Sequence, residues 1–214
     1  MLCAICHTVK AKRFCPGLSE EICPGCCGRG REETINCSLT CEYLAEAHLH
    51  EKKPPSDTEA MPGKDVPLDD DFLRANEFLI VLLGSAIFEA LRPHANAIDA
   101  DAIDALDALA RTYRTLVAGI YYETKPVNRI AMDIFEGVKA SIAVIRTRMK
   151  EADSARALPD ATVLGVLVFL QRVALGMNNG RGKCKTFLVF LSQFYVDMKK
   201  DEAEEVAAQS RIIL

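Results

Sequence analysis

The 214 residues include no tryptophan, no marked excess of either charge, and no uncharged run long enough to cross a bilayer. Beyond the cysteine-rich start, the longest uncharged stretches, 78–88, 161–171 and 186–196, are each 11 residues, against the ~20 that a membrane helix needs. A formal charge of −4 excludes a protein held to nucleic acid by charge alone. Met1-Leu2-Cys3 offers neither a charged leader nor an apolar one, so the expectation is a soluble, cytoplasmic protein with no membrane attachment. No internal repeat of the ~20–50-residue kind is visible. The P-loop frame is missing, as is any serine or cysteine nucleophile motif with an accompanying base, so the reading leans away from an enzyme. Half the residues are nevertheless apolar and 26% are charged, enough for a packed core.

Cysteine is what the chain has in plenty. Eight of its nine cysteines fall between Cys3 and Cys41, spaced Cys3-x2-Cys6, Cys15, Cys23-x2-Cys26-Cys27, Cys37-x3-Cys41, and the ninth is Cys184. In a reducing compartment such clustering points to metal ligands rather than disulfides. A C-x2-C turn sets two thiolates on one side of an ion with backbone amides aimed at the sulfurs, and two such turns complete a tetrahedral zinc site. Pro24, Gly25 and Gly28 supply the tight turn at the second pair. A segment this short, with few large apolar residues, takes most of its stability from metal. Taking alternate pairs, Cys3, Cys6, Cys23 and Cys26 are expected to hold one zinc ion, and Cys15, Cys27, Cys37 and Cys41 a second. The sites are structural, since thiolates close every position that a catalytic zinc would leave to water.

This interleaved order resembles the small cross-brace zinc fingers of the MYND and HIT type, in which pairs one and three bind one ion and pairs two and four the other. The resemblance covers residues 3–48. It departs from those fingers at Cys15, which has no C-x2-C partner, at the Cys26-Cys27 doublet, and at the end, where His48 or His50 is available as a ligand. The whole chain loosely resembles bacterial proteins that join a cysteine-rich start to a helical body, which implies no activity.

Residues 51–68 hold four prolines and read as a linker that keeps two parts at some distance, giving a metal module over 1–50 and a helical domain over 69–214. Five helices are expected there. The first starts at Asp69-Asp70-Asp71 and ends before Pro93; the second carries the stripe Ile98, Ala102, Leu106, Leu109, Tyr113, Leu116, Ile120. The third opens at Thr124-Lys125-Pro126; the fourth opens at Pro159-Asp160, is apolar almost all round and should be central; the fifth starts near Lys185 and extends into the tail 199–205. The fold class is therefore mainly α, a bundle with a small zinc-binding module.

The loop 178–185 places Arg181, Lys183 and Lys185 at a helix N-terminus, where the helix dipole disfavours them; an anion site there would offset that. Asp99, Asp101, Asp104 and Asp107 read as a solvated helix face, Tyr121-Tyr122-Glu123 as packing and capping, Cys184 as an ordinary small residue, and His94 as lacking a partner. Together these features suggest a zinc-binding adaptor or regulatory protein that engages a protein partner. One alternative is an enzyme or ligand-binding protein using the 181–185 loop. Another is a nucleic-acid binder using Lys10, Lys12, Arg13, Arg29 and Arg31.

Overall fold

The computed structural model describes residues 1–51, 61–152 and 157–195; the linker prolines at 54 and 55 and the tail 199–205 lie outside the described residues. The chain is mainly helical. A two-stranded antiparallel hairpin, β1 (Arg13–Cys15) and β2 (Glu20–Ile22), pairs Arg13 with Ile22 and Cys15 with Glu20. Two short helices follow, α1 (Pro24–Gly30) and α2 (Glu42–His50). The bundle comprises α3 (Asp70–Ala75), α4 (Glu77–Leu91), α5 (Asp99–Val117), α6 (Arg129–Ala152), α7 (Asp160–Met177) and α8 (Thr186–Tyr195).

The bundle core follows the apolar stripes. Leu83, Ile87, Leu106, Leu109, Ile134, Phe135 and Leu167 are fully buried; α5 packs most extensively on α7, and α4 on α6. The helix α7 has the length and mean hydropathy (1.5) of a membrane span, which the 11-residue uncharged run did not anticipate, because the helix continues past Arg172 to Met177. Its place explains the composition: Val163, Val166, Leu167, Val168 and Ala174 are buried in the middle of the bundle.

Boundaries shift where local chemistry competes with periodicity. The expected first helix is broken at Asn76, whose side-chain amide bonds back to the Phe72 carbonyl (2.8 Å), and α3 and α4 result. The second stops at Val117, short of Ile120, because Gly119 takes φ +77° and the amide of Ile120 closes on the Thr115 carbonyl. The third begins at Arg129, since the Asn128 side chain receives the Ile130 amide (2.8 Å) and so acts as the cap in place of the Pro126 turn.

The linker expectation holds least well. Residues 61–68 are laid against the bundle: Arg172 donates to the carbonyls of Pro62 (3.0 Å) and Gly63 (2.7 Å), and Val66 and Leu68 join the core margin. Gly63, at φ +68°, sits where a Cβ would meet Val168 at 2.6 Å. The two cysteine-rich and helical parts are also in direct contact. Val189 of α8 is buried with Ile22, Ile35 and Leu44 of the cysteine-rich part, and Leu39 touches both cores. Separation at a distance is thereby corrected: a proline-rich sequence limits what a linker can pack, not where its ends lie.

Candidate metal centre and the junction behind it

Cys3 and Cys6 are presented by a loop that folds back on itself, with the Cys3 amide on the Val9 carbonyl (2.8 Å) and a bridge between Leu2 and Lys10. Cys23 and Cys26 stand at the start of α1. Cys23 is its N-cap, Pro24 opens the first turn, and the Cys26 amide points at the Cys23 sulfur (3.4 Å). The four sulfurs all lie within 4.8 Å of one another, and Cys3, Cys23 and Cys26 are buried. Such crowding divides the protons unequally. Hydrogen bonds from the Thr8 hydroxyl and amide and from Val9 pull Cys6 down to about 5, while burial and the neighbouring thiols push Cys26 up to about 12. A cation among the sulfurs would favour the thiolate at all four and so offset the penalty on Cys26. The donor set, four soft sulfurs with amide support and no position left for water, suits a closed structural metal site.

Cys15, Cys27, Cys37 and Cys41 line a single small cavity of about 10 Å3, together with Arg13, Ile22, Ile35 and Tyr43. Their sulfurs are less tightly drawn than the first set and do not form a 4.8 Å group. The guanidinium of Arg13 reaches Cys27 (3.7 Å) and lies 4.3 Å over the Tyr43 ring. The Cys26-Cys27 doublet, puzzling in the sequence, becomes intelligible on α1: successive helical residues point about 100° apart, so one sulfur faces each group. All nine cysteines are free thiols. Arg13 and Arg29 turn to sulfurs, Arg29 reaching Cys26 at 3.6 Å, so these two of the five basic residues expected to follow a nucleic-acid backbone are committed within the fold.

Behind the thiols lies a polar junction that sequence reasoning missed. Glu32 is fully buried in a left-handed backbone conformation (φ 54°). Its carboxylate accepts from the Lys185 amide (2.6 Å), the Asn179 side chain (2.8 Å) and His48 Nε2 (3.0 Å), and its carbonyl accepts from the Lys183 amide (2.7 Å). Despite burial, these bonds, that of His48 foremost, hold its carboxyl below the usual range. Asn179 also reaches Glu51 (3.0 Å). His48 is thus engaged at the junction, where its ring nitrogen and the carboxylates of Glu32 and Glu51 lie within 4.8 Å of one another, and His50 is exposed. A glutamate within Arg31-Glu32-Glu33 gives no local signal of this role, because the partners of its carboxylate other than His48, the Asn179 side chain and the Lys185 amide, are about 150 residues away in sequence.

The loop 178–185 differs from expectation for the same reason. Arg181 pairs with Glu51 (3.2 Å) and donates to the Arg31 carbonyl (2.8 Å); Lys183 donates to the Thr34 carbonyl (2.9 Å); Lys185 is buried with its ammonium on the Ala95 carbonyl (3.1 Å). Arg181, Lys183 and Lys185 are thus each engaged by groups of the protein itself. The negative charge that α8 needs is internal. Asp99, fully buried, accepts from the amides of Phe187 (3.0 Å) and Leu188 (3.1 Å) and from the Cys184 thiol (3.2 Å). The solvated face is corrected accordingly: Asp99 caps α8, and Asp101 caps its own helix through the Ile98 amide (2.9 Å) while holding Asn128 (2.7 Å). Asp104 is exposed, and Asp107 pairs with Arg111 (2.8 Å). His94 does have a partner, Asp133 at 3.1 Å. Tyr121 and Tyr122, expected to pack, are exposed.

No family model, no curated protein and no solved structure matches the chain.

Proposed function

We infer that the protein is a non-enzymatic zinc-binding adaptor that engages a protein partner. Zinc is the ion that four thiolates in a closed tetrahedral set select in a reducing compartment, and Cys3, Cys6, Cys23 and Cys26 would hold it. A second zinc would draw Cys15, Cys27, Cys37 and Cys41 together around the cavity that they line. In this reading the metal does no chemistry. It shapes the loop that carries Cys3 and Cys6.

The observation that carries the partner reading is what this loop leaves uncovered. Leu2, Ile5 and Val9 are each about half exposed around the first knuckle, closed into one turn by the Leu2–Lys10 bridge. The connection between α5 and α6 adds a second uncovered set, Ile120, Tyr121, Tyr122 and Val127. Single exposed apolar residues are ordinary, but grouped ones, tyrosines among them, mark surfaces that a partner covers. The test is in-cell crosslinking of the full chain, with the captured proteins compared between wild type, Ile5→Asp/Val9→Asp and Tyr121→Ser/Tyr122→Ser. Loss of the same protein from one variant, with metal content and helicity intact, supports the reading. Identical capture by all three chains removes it.

A further inference from the structure

A cleft of about 480 Å3 opens between the cysteine-rich part and the bundle, with Gly17, Asn36 and Leu39 on one side and the α4–α5 corner and α8 on the other. No aspartate or glutamate lines it, although 30 residues of the chain are acidic. Its basic side chains are Arg92, His94 and Lys185. Two of these have acidic partners, Arg92 with Glu89 (3.4 Å) and His94 with Asp133 (3.1 Å). Lys185 differs. It is 1% exposed, its ammonium donates to the Ala95 carbonyl (3.1 Å), and among the described residues no carboxylate comes within 4.0 Å of it.

An ammonium has three donors, and a buried one without a paired anion is costly. Burial pulls the Lys185 ammonium below its ordinary range, against Cys37, Glu32, Asp99 and Asp101, which favour its charge without forming an ion pair with it. A methionine would fill the same space without that cost. On the same cleft wall, the side-chain oxygen of Asn36 is buried with no donor. The cleft thus contains a buried ammonium held by a single carbonyl and by no carboxylate, a buried acceptor lacking a donor, and apolar flanks from Leu39, Phe88, Leu91 and Leu188. Volume and lining are those of a small-molecule site.

We propose that this cleft binds a small organic oxyanion, with a carboxylate or phosphate on the Lys185 ammonium and an apolar body between Leu39, Phe88 and Leu188. The site differs from the loop anion site expected from the sequence, since Arg181 and Lys183 take no part and Lys185 faces inward. It is also independent of the partner surface: the cleft can fail while the crosslinking result stands, and the reverse.

The test uses the full chain with its metal, titrated calorimetrically with benzoate, phenyl phosphate and the neutral benzyl alcohol. The expected result is saturable binding of at least one anion and none of benzyl alcohol, and the anion that binds identifies the headgroup. Lys185→Met should weaken that binding by about tenfold or more, as loss of a charged hydrogen bond requires. Ser192→Trp, which fills the cleft from α8 and leaves Lys185 in place, should abolish it, and it decides the matter if Lys185→Met does not fold. Failure of both anions to bind, equal binding of benzyl alcohol, or unchanged affinity in the folded variants overturns the proposal.

Discussion

Residues 1–51 and the helices from Asp70 onward solve the same problem with different means. The bundle buries Leu83, Ile87, Leu106, Leu109, Phe135 and Leu167 completely, and its interior is mostly apolar. The cysteine-rich part has Ile22, Ile35 and Leu44 as its large buried residues, and one of the side chains that cover them, Val189, belongs to α8. Apart from Glu32, its remaining interior is mostly sulfur. One part is stabilised by apolar area, the other by whatever neutralises its thiols and by contact with its neighbour. Where they meet the contact is largely polar and centred on a buried carboxylate, so the join depends on geometry more than on area.

The largest expected effect tests that contrast at its source. If Cys3, Cys6, Cys23 and Cys26 hold zinc as proposed, a chelator, or replacement of Cys3 and Cys6 by serine, should collapse residues 1–51, since structural zinc contributes about 10–16 kcal/mol in modules of this size. Most of the far-ultraviolet helical signal should survive, while amide exchange at the start of α8 should accelerate because Glu32 no longer receives the Lys185 amide. Loss of the whole helical signal would show that the bundle cannot stand without the cysteine-rich part.

A cavity in the bundle should do the converse. Phe135→Ala is expected to cost about 3–5 kcal/mol in denaturant unfolding, with metal content unchanged. If metal is lost as well, the two parts unfold as one.

Glu32→Ala cuts the join itself. It strands the Lys185 amide, removes one of the two carboxylates that hold the Asn179 side chain, and should cost about 3 kcal/mol, measured by denaturation, and it should convert a single transition into two. A single transition of unaltered midpoint would mean that the apolar contact of Val189 and Leu39 suffices.

The smallest effect lies wholly within the bundle. Glu123 is held by Lys139, which is its main partner, and by Lys125, and these lower its carboxyl below the ordinary value of 4.5. A depressed acid adds stability above its unfolded pKa and loses it as pH falls through the folded one. The contribution of this half-exposed pair should therefore be complete near neutrality and decline below about pH 4.5, at under about 1 kcal/mol. Glu123→Gln should flatten that part of the stability profile without altering metal content.

Much of the architecture was legible before any coordinates. Apolar residues at three- and four-residue steps placed the bundle helices, and uniform apolarity marked α7 as central, because helical period is a local property written along the chain. The errors at Asn76, Gly119 and Asn128 were errors of boundary, where one side chain or one backbone conformation outweighed the period. The spacing of Cys3, Cys6, Cys23 and Cys26 likewise selected the four sulfurs that meet, since a C-x2-C turn fixes its own pair. Tertiary structure alone decided the rest. Asp99 read as part of a solvated helix face and Lys185 as one cation of an anion loop, and both are buried because the start of α5 meets the start of α8. Glu32 joins the two parts through Asn179 and Lys185, at sequence separations of 147 and 153 residues. No periodicity spans such a distance. The identity of a buried polar group depends on which surfaces come together to exclude water, and that is settled only when the two parts pack.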